Sequence, residues 1–462
     1  MIKMENLFYK KENGWKTADK EAVFKFCEGY KDFLNRAKTE REFSKEAEKA
    51  AQKNGFKPLS KFKSLKAGDK VYAVNRGKGV LLAVIGSDDI EKGLRIIGSH
   101  IDSPRLDLKP EPIYEDSEMA LFKTHYYGGI KKYQWTAIPL AMHGTVIKAD
   151  GSSVDISIGE SDDDITFTVS DLLPHLADEQ YTKKVGKAIE GEALNILAGG
   201  IPVDDKDEKE PYKAAVLSLL NDKYGICEED FISAEIEFVP AFKLKDTGFD
   251  RSFISGWGQD DKVCAYTSLE AIFEIKKPKK TAVCLLVDKE EIGSMGVTGM
   301  RSHFFEDTMA EICLLIKGEY NEIMLKRCLS SSKCLSADVC AMHDPNYPSV
   351  MEKNNAAHAA HGVAIMKYTG SRGKSGASDA SAEFVGEIRK LFNESGVLWQ
   401  STELGKIDLG GGGTISQYVA NLNIDTLDCG VPLLSMHSPY EISSKVDVYS
   451  AYKAYKAFFE MK

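Results

Sequence analysis

Two adjacent glutamates, Glu290 and Glu291, stand just after the apolar run Ala282 to Val287 in the stretch TAVCLLVDKEEIGSMG. The run reads as a buried β-strand, with Gly293 and Gly296 supplying the turn that follows it. In open α/β sheets ligands collect outside the carboxyl ends of the strands, so one carboxylate there can hold a cation while its neighbour moves protons. Taken alone, a Glu-Glu pair is most simply a solvated acidic turn. Other strand ends must therefore decide its meaning.

Four further stretches present chemistry at element ends. LRIIGSHIDSP carries an apolar strand, Leu94 to Ile97, into His100 and Asp102; residues two apart on an extended chain point the same way, so Asp102 can fix the tautomer of His100. SGWGQDDKVCAYTSLEAIFE places Asp260 and Asp261 where a helix would begin, one free to cap it and the other to point into a site. CLSADV delivers Asp338, and VPLLSMHSPYE delivers His437. His100, Asp260, Glu290, Glu291, Asp338 and His437 make two imidazoles and four carboxylates, the donor mixture that zinc accepts, whereas an all-oxygen set would indicate magnesium or calcium. A shared carboxylate bridges two metals roughly 3.5–4 Å apart, leaving one glutamate to shuttle a proton. Spacing alone does not force these ends into one cleft.

The elements that must position these groups suit an α/β protein. Apolar positions from Asp19 to Asn54 recur at helical spacing, VYAVNR and VLLAVIG read as strands, and VDVYSAYKAYKAFFE closes the chain as an amphipathic helix. From about Tyr114 to Phe238 the texture changes to short alternating runs such as TVIKADGSSVDISIG, which suggest antiparallel strands of an inserted module. The charge run Asp204 to Glu210 reads as a solvated loop. His358 and His361, three apart, fit one helix face as structurally satisfied histidines. Gly410 to Gly413 precede a helix without the lysine-serine ending of a P-loop, which favours close backbone approach near a substrate.

A chain of 462 residues exceeds what one core usually organises. Its net charge of -10, with no arginine-rich cluster, argues against a nucleic-acid binder. No apolar run approaches the ~20 residues of a membrane-spanning helix, and the N-terminus MIKMENLFYKKENGWK lacks the apolar centre of an export signal. Nine cysteines with no C-x-x-C spacing suit reduced thiols, and with the rest predict a cytoplasmic protein without membrane or nucleic-acid partners.

HIDSP at 100–104, GQDDKV at 258–263, DKEEIGS at 288–294, SADV at 336–339 and SMHSPYE at 435–441, in this order, resemble the aspartyl aminopeptidase family of dinuclear zinc exopeptidases over nearly the whole chain. The resemblance implies a mixed central sheet with flanking helices, formed by residues 1–108 and 240–462, around an inserted mostly-β oligomerisation domain at 109–239. It implies two divalent ions, zinc above all: His100 and Asp338 on one, Glu291 and His437 on the other, Asp260 between them. Glu290 would be the general base and Asp102 the group that orients His100. The implied activity is removal of N-terminal residues, acidic ones included, from peptides with a free N-terminus by a zinc-bound hydroxide, in a homo-oligomer of twelve subunits. LLPHLA matches the family's segment that sends a histidine into a neighbouring subunit's site, which gives His175 an oxyanion-stabilising and substrate-binding role; its bland alternative is a buried histidine in a strand turn. Lys367, in IMKYTG, matches a lysine near the substrate side chain.

One departure bears on specificity. Many members continue D-M-A-H from the SADV-type aspartate, whereas here that fourth position is Ala341 and the nearest histidine is His343. Rival readings are a dinuclear deacylase or carboxypeptidase on a similar scaffold, a metal-free glycoside hydrolase with paired carboxylates, and a non-catalytic assembly protein.

Overall fold

The computed structural model describes residues 7–9 and 12–462. Residues 1–6, 10 and 11, part of the stretch read as lacking an export signal, lie outside the described residues. The chain divides into two compact units, one made of Met1–Asp102, Leu244–Met436 and Glu441–Lys462, the other of Ser103–Lys243 and His437–Tyr440.

The first unit is built on a nine-stranded sheet in the order Lys57–Pro58, Lys70–Val74, Val80–Val84, Thr281–Val287, Leu94–His100, Lys333–Ser336, Asp425–Gly430, Val363–Met366, Trp399–Ser401. Val80–Val84 and Thr281–Val287 near its centre are buried along their whole length and almost wholly apolar because both faces are covered. Side chains alternate between the faces. Cys284 and Leu286 join one core with the helices Lys20–Leu34, Gln259–Glu274, Ala382–Glu394 and Lys445–Phe459, while Val283, Leu285 and Val287 join another with Phe304–Lys317 and Glu322–Ser330. Burying each such aliphatic side chain contributes roughly 1.5–3 kcal/mol. A Leu→Asp change at Leu285 would break the second core.

Register then fixes where the chemistry falls. Thr281–Val287, Leu94–His100, Lys333–Ser336 and Asp425–Gly430 run parallel, with Val287 opposite His100 and Ser336 opposite Gly98. His100, the 288–291 segment and Asp338 therefore leave the sheet along one edge, at the carboxyl ends of neighbouring strands. A smaller five-stranded sheet pairs Phe253–Gly256, which leads into the Gln259–Glu274 helix, with Glu441–Ser444.

The second unit contains a six-stranded antiparallel sheet in the order Ser153–Ile158, Leu140–Ile147, Ala234–Pro240, Arg105–Asp116, Met119–Tyr127, Ile196–Gly199, with one longer helix, Pro211–Tyr224. Phe122, Phe167, Phe231 and Phe238 pack edge-on or tilted at its centre. Asp204 to Glu210 is an exposed loop, as its charge pattern requires.

Two local expectations are corrected. Neither Asp260 nor Asp261 caps the helix: the cap is Gly258 at φ 79°, and both aspartates are buried with non-helical backbone angles, joined by a cis peptide bond. His358 and His361 lie in a turn and not on a helix; the His361 Nδ1–H donates to the Ala359 carbonyl at 2.8 Å, and His343 stacks on His358. Gly410 and Gly411 do make close backbone approaches, to neighbouring loop main chain: a Cβ on Gly410 would lie 1.9 Å from the Leu404 carbonyl oxygen and one on Gly411 2.1 Å from that of Gly370. Among the described residues no helix is long and apolar enough to cross a membrane, and all nine cysteines are free thiols, eight of them buried.

Candidate active site

His100 ends a fully buried strand, which anchors its ring to the sheet. Its Nδ1 lies 3.1 Å from the carbonyl oxygen of Asp102 and 3.2 Å from the Asp102 carboxylate. Nδ1 must therefore carry the proton it donates, which leaves Nε2 with a lone pair. Nε2 faces three carboxylates: Asp260 at 3.3 Å, Asp338 at 3.9 Å and Glu290 at 4.0 Å. A lone pair facing three anions draws in positive charge, as a proton or as a metal ion.

The Glu290–Glu291 pair sits on a short turn bracketed by left-handed residues, Lys289 at φ 68° and Gly293 at φ 94°. Such backbone costs roughly 1–3 kcal/mol per non-glycine residue and persists where the surroundings enforce it. Here Asp288 does so: its Oδ1 accepts the Lys289 N–H at 2.8 Å and its Oδ2 accepts the Thr298 hydroxyl at 2.6 Å. Burial, then the nearby charge of Glu40, pushes the Asp288 carboxyl up to about 6. Asp102 completes the clamp, accepting the N–H groups of Glu290 and Glu291 at 3.1 and 3.2 Å.

Two sets of donors fall within 4.8 Å of one another, His100 with Asp260 and Glu291, and His100 with Asp261 and Asp338. Burial drives the Asp338 and Asp261 carboxyls well above the usual carboxylate range. For His100 burial acts downward, but the hydrogen bonds its ring donates to Asp102 and Asp260 and the charge of Asp338 outweigh it and hold the imidazole well up. The cluster therefore carries more negative charge than its burial tolerates, and it takes up protons unless a cation supplies the balance. One imidazole among carboxylates is a donor set that fits zinc.

Asp261 is the residue that sequence reasoning left as a helix cap. Its Oδ2 accepts the main-chain N–H of His100 at 3.3 Å, and the carboxylate is wholly buried. The signal was its adjacency to Asp260. The remaining candidates belong to other elements. His437 belongs to the second unit, with φ 64° and an Nδ1–H donating to the Gly129 carbonyl at 2.8 Å, which leaves Nε2 as its lone-pair nitrogen. His175 is exposed on the turn Pro174–Leu176 of that unit and is not the buried histidine of the bland alternative. Lys367 is exposed after the Val363–Met366 strand. Ala341 lies on the two-residue strand Cys340–Ala341 of the small sheet.

Comparisons with known proteins agree with this chemistry. Residues 33–459 match the family described as Aminopeptidase I zinc metalloprotease (M18). A probable M18 family aminopeptidase 1 of Clostridium acetobutylicum is 53% identical over 454 residues, 97% of each chain. The crystal structure of an M18 family aminopeptidase from Thermotoga maritima superposes with a TM-score of 0.96 at 45% identity, covering 98% of this chain and 100% of the other. That of aminopeptidase I from Clostridium acetobutylicum gives 0.91 at 48% identity, covering 98% and 99%. These matches favour an aminopeptidase over a deacylase, a carboxypeptidase or a non-catalytic assembly protein. The chain belongs to the M18 family of zinc metalloaminopeptidases.

Proposed function

We propose that this aminopeptidase holds two zinc ions, His100 and Asp338 serving one, Glu291 and His437 the other, with Asp260 shared. The observation that carries the proposal is the ring of carboxylates around the His100 Nε2, at 3.3, 3.9 and 4.0 Å. Asp261 stands close enough to join the Asp338 side of the set.

When bound, the ions polarise the scissile carbonyl and lower the pKa of water at the site. The protein does the rest. Glu290 accepts the proton of the attacking water and delivers it to the departing amine; its side chain keeps a partial exposure to solvent. Asp102 keeps the His100 lone pair on Nε2 and holds the main chain of Glu290 and Glu291. Asp260, Glu291 and Asp338 supply negative charge that also suits a substrate's free α-amine. His175, offered by a neighbouring copy, binds substrate and steadies the oxyanion.

Residues 1–108 and 240–462 carry the chemistry, and 109–239 serve self-assembly into a homo-oligomer, a dodecamer by family resemblance. Lys367 favours acidic N-terminal residues, whereas Ala341 removes a partner that many relatives carry. Nine free thiols support a cytoplasmic setting.

Metal analysis of purified protein, run beside a panel of aminoacyl and N-acylated reporter substrates, tests the reading. Two zinc ions per chain with cleavage of free-amine substrates only, fastest for Asp or Glu, is the expected result. One ion per chain refutes the dinuclear centre, and equal rates on neutral residues refute the acidic preference.

A further inference from the structure

Glu441 lies inside the SMHSPYE stretch, 182 residues from the helix that carries Asp260, and is 1% exposed. Its Oε2 accepts the N–H of Gln259 at 2.7 Å and that of Asp260 itself at 3.1 Å. These are the donors that open the Gln259–Glu274 helix, and no side chain caps that helix from the preceding turn, where Gly258 takes the cap position. An anionic acceptor supplied from a distant strand fills the role. The same strand grips Gln259 a second time: its Nε2 donates to the Glu441 carbonyl at 2.7 Å and its Oε1 accepts the Ser443 hydroxyl at 2.6 Å.

Asp260 needs such a grip. Its own angles, φ -80° and ψ 113°, are not helical, so the helix does not dictate where its carboxylate points. The N–H held by Glu441 and the carboxylate 3.3 Å from the His100 Nε2 belong to one residue. A shift of that main chain by a fraction of an ångström would carry the carboxylate away from the imidazole.

We infer that Glu441 is a positioning residue for the metal centre, acting by fixing the main chain of Asp260. The inference rests on the proposed metal role of Asp260.

The test compares E441Q with D447N in the full chain. Asp447 is a matched control: it too is a fully buried carboxylate accepting two main-chain N–H groups, those of Ala360 at 2.8 Å and Gly362 at 2.6 Å. Each protein is stripped with a chelator and titrated with Co(II), reading affinity against a competing dye and the visible absorption of the bound ion. E441Q is expected to bind Co(II) at least tenfold more weakly with an altered spectrum, because outer partners of metal ligands typically contribute 10–100-fold to affinity. D447N is expected to match wild type in both. Should E441Q not fold, E441D, which keeps the charge and withdraws it by one methylene, takes its place. Wild-type affinity and spectrum in the folded Glu441 variant, or the same changes in D447N, overturns the inference while leaving the metal reading standing. A wild-type protein that binds no Co(II) overturns the metal reading, and the inference with it.

Discussion

The carboxylate of Asp102 accepts the N–H of Glu290 at 3.1 Å through the oxygen that also lies 3.2 Å from the His100 Nδ1. One buried group thus sets the tautomer of an imidazole on one strand and the position of a glutamate beyond the next. In D102N an NH2 group replaces one oxygen and meets an N–H it cannot accept. The expected result is a 10–100-fold fall in kcat and in zinc affinity. Steady-state kinetics with dye competition checks it, and wild-type values for both would show that the side chain positions nothing.

Glu290 is assigned to proton transfer and Glu291 to metal, although the two are neighbours on one turn. E290Q should lower kcat by at least about 10²-fold while keeping wild-type zinc content, because general acid–base catalysis contributes about 10²–10⁴-fold. E291Q should lose one of its two zinc ions. Full activity in E290Q would mean that another group carries the proton.

Much of this site was legible in the chain because strands buried on both faces must be apolar along their length, which made the sudden arrival of His100, Glu290 and Asp338 visible. The parallel register then brings them to one edge. Asp261 was harder: a helix-start aspartate usually caps, and nothing local announced that Gly258 would take the cap position instead. Glu441 was legible as part of a motif but not as a partner of Asp260, since a contact spanning 181 residues leaves no local signal. The same holds for Lys445, which follows an ordinary strand-to-helix pattern yet is wholly buried.

That lysine leads to a stability prediction. Asp246 holds the Lys31 Nζ at 2.6 Å, the Lys445 Nζ at 2.8 Å and the Arg251 Nε at 2.7 Å. Burial works to raise the Asp246 carboxyl, but these three cations prevail and bring it from 3.8 down to about 2. A carboxyl depressed on folding stabilises the native state above its unfolded value and loses that contribution as pH falls through the folded value. Roughly 2 kcal/mol should therefore disappear between about pH 4 and pH 2. In D246A the buried Lys445 loses its nearer counter-charge and keeps only Glu28 at 3.9 Å, and breaking a buried pair in this way costs roughly 3–5 kcal/mol. Urea unfolding at neutral pH would measure it. A loss under 1 kcal/mol would place these charges in better-solvated surroundings than their burial indicates.

The shared role of Asp260 makes a stoichiometric prediction that no simple loss of activity could mimic. If its carboxylate lies between two ions, D260N removes a ligand from both, and zinc should fall from two per chain to below one. D338N and E291Q each remove a ligand from one ion, and each should retain about one. Stability should follow occupancy: an ion at a free concentration about 100 times its Kd adds roughly 2.7 kcal/mol to the folded state. Chelation should therefore lower the wild-type Tm and leave that of D260N nearly unchanged, with zinc restoring the wild type alone. A D260N protein that still carries two ions would show that Asp260 lies beside the metals and not between them.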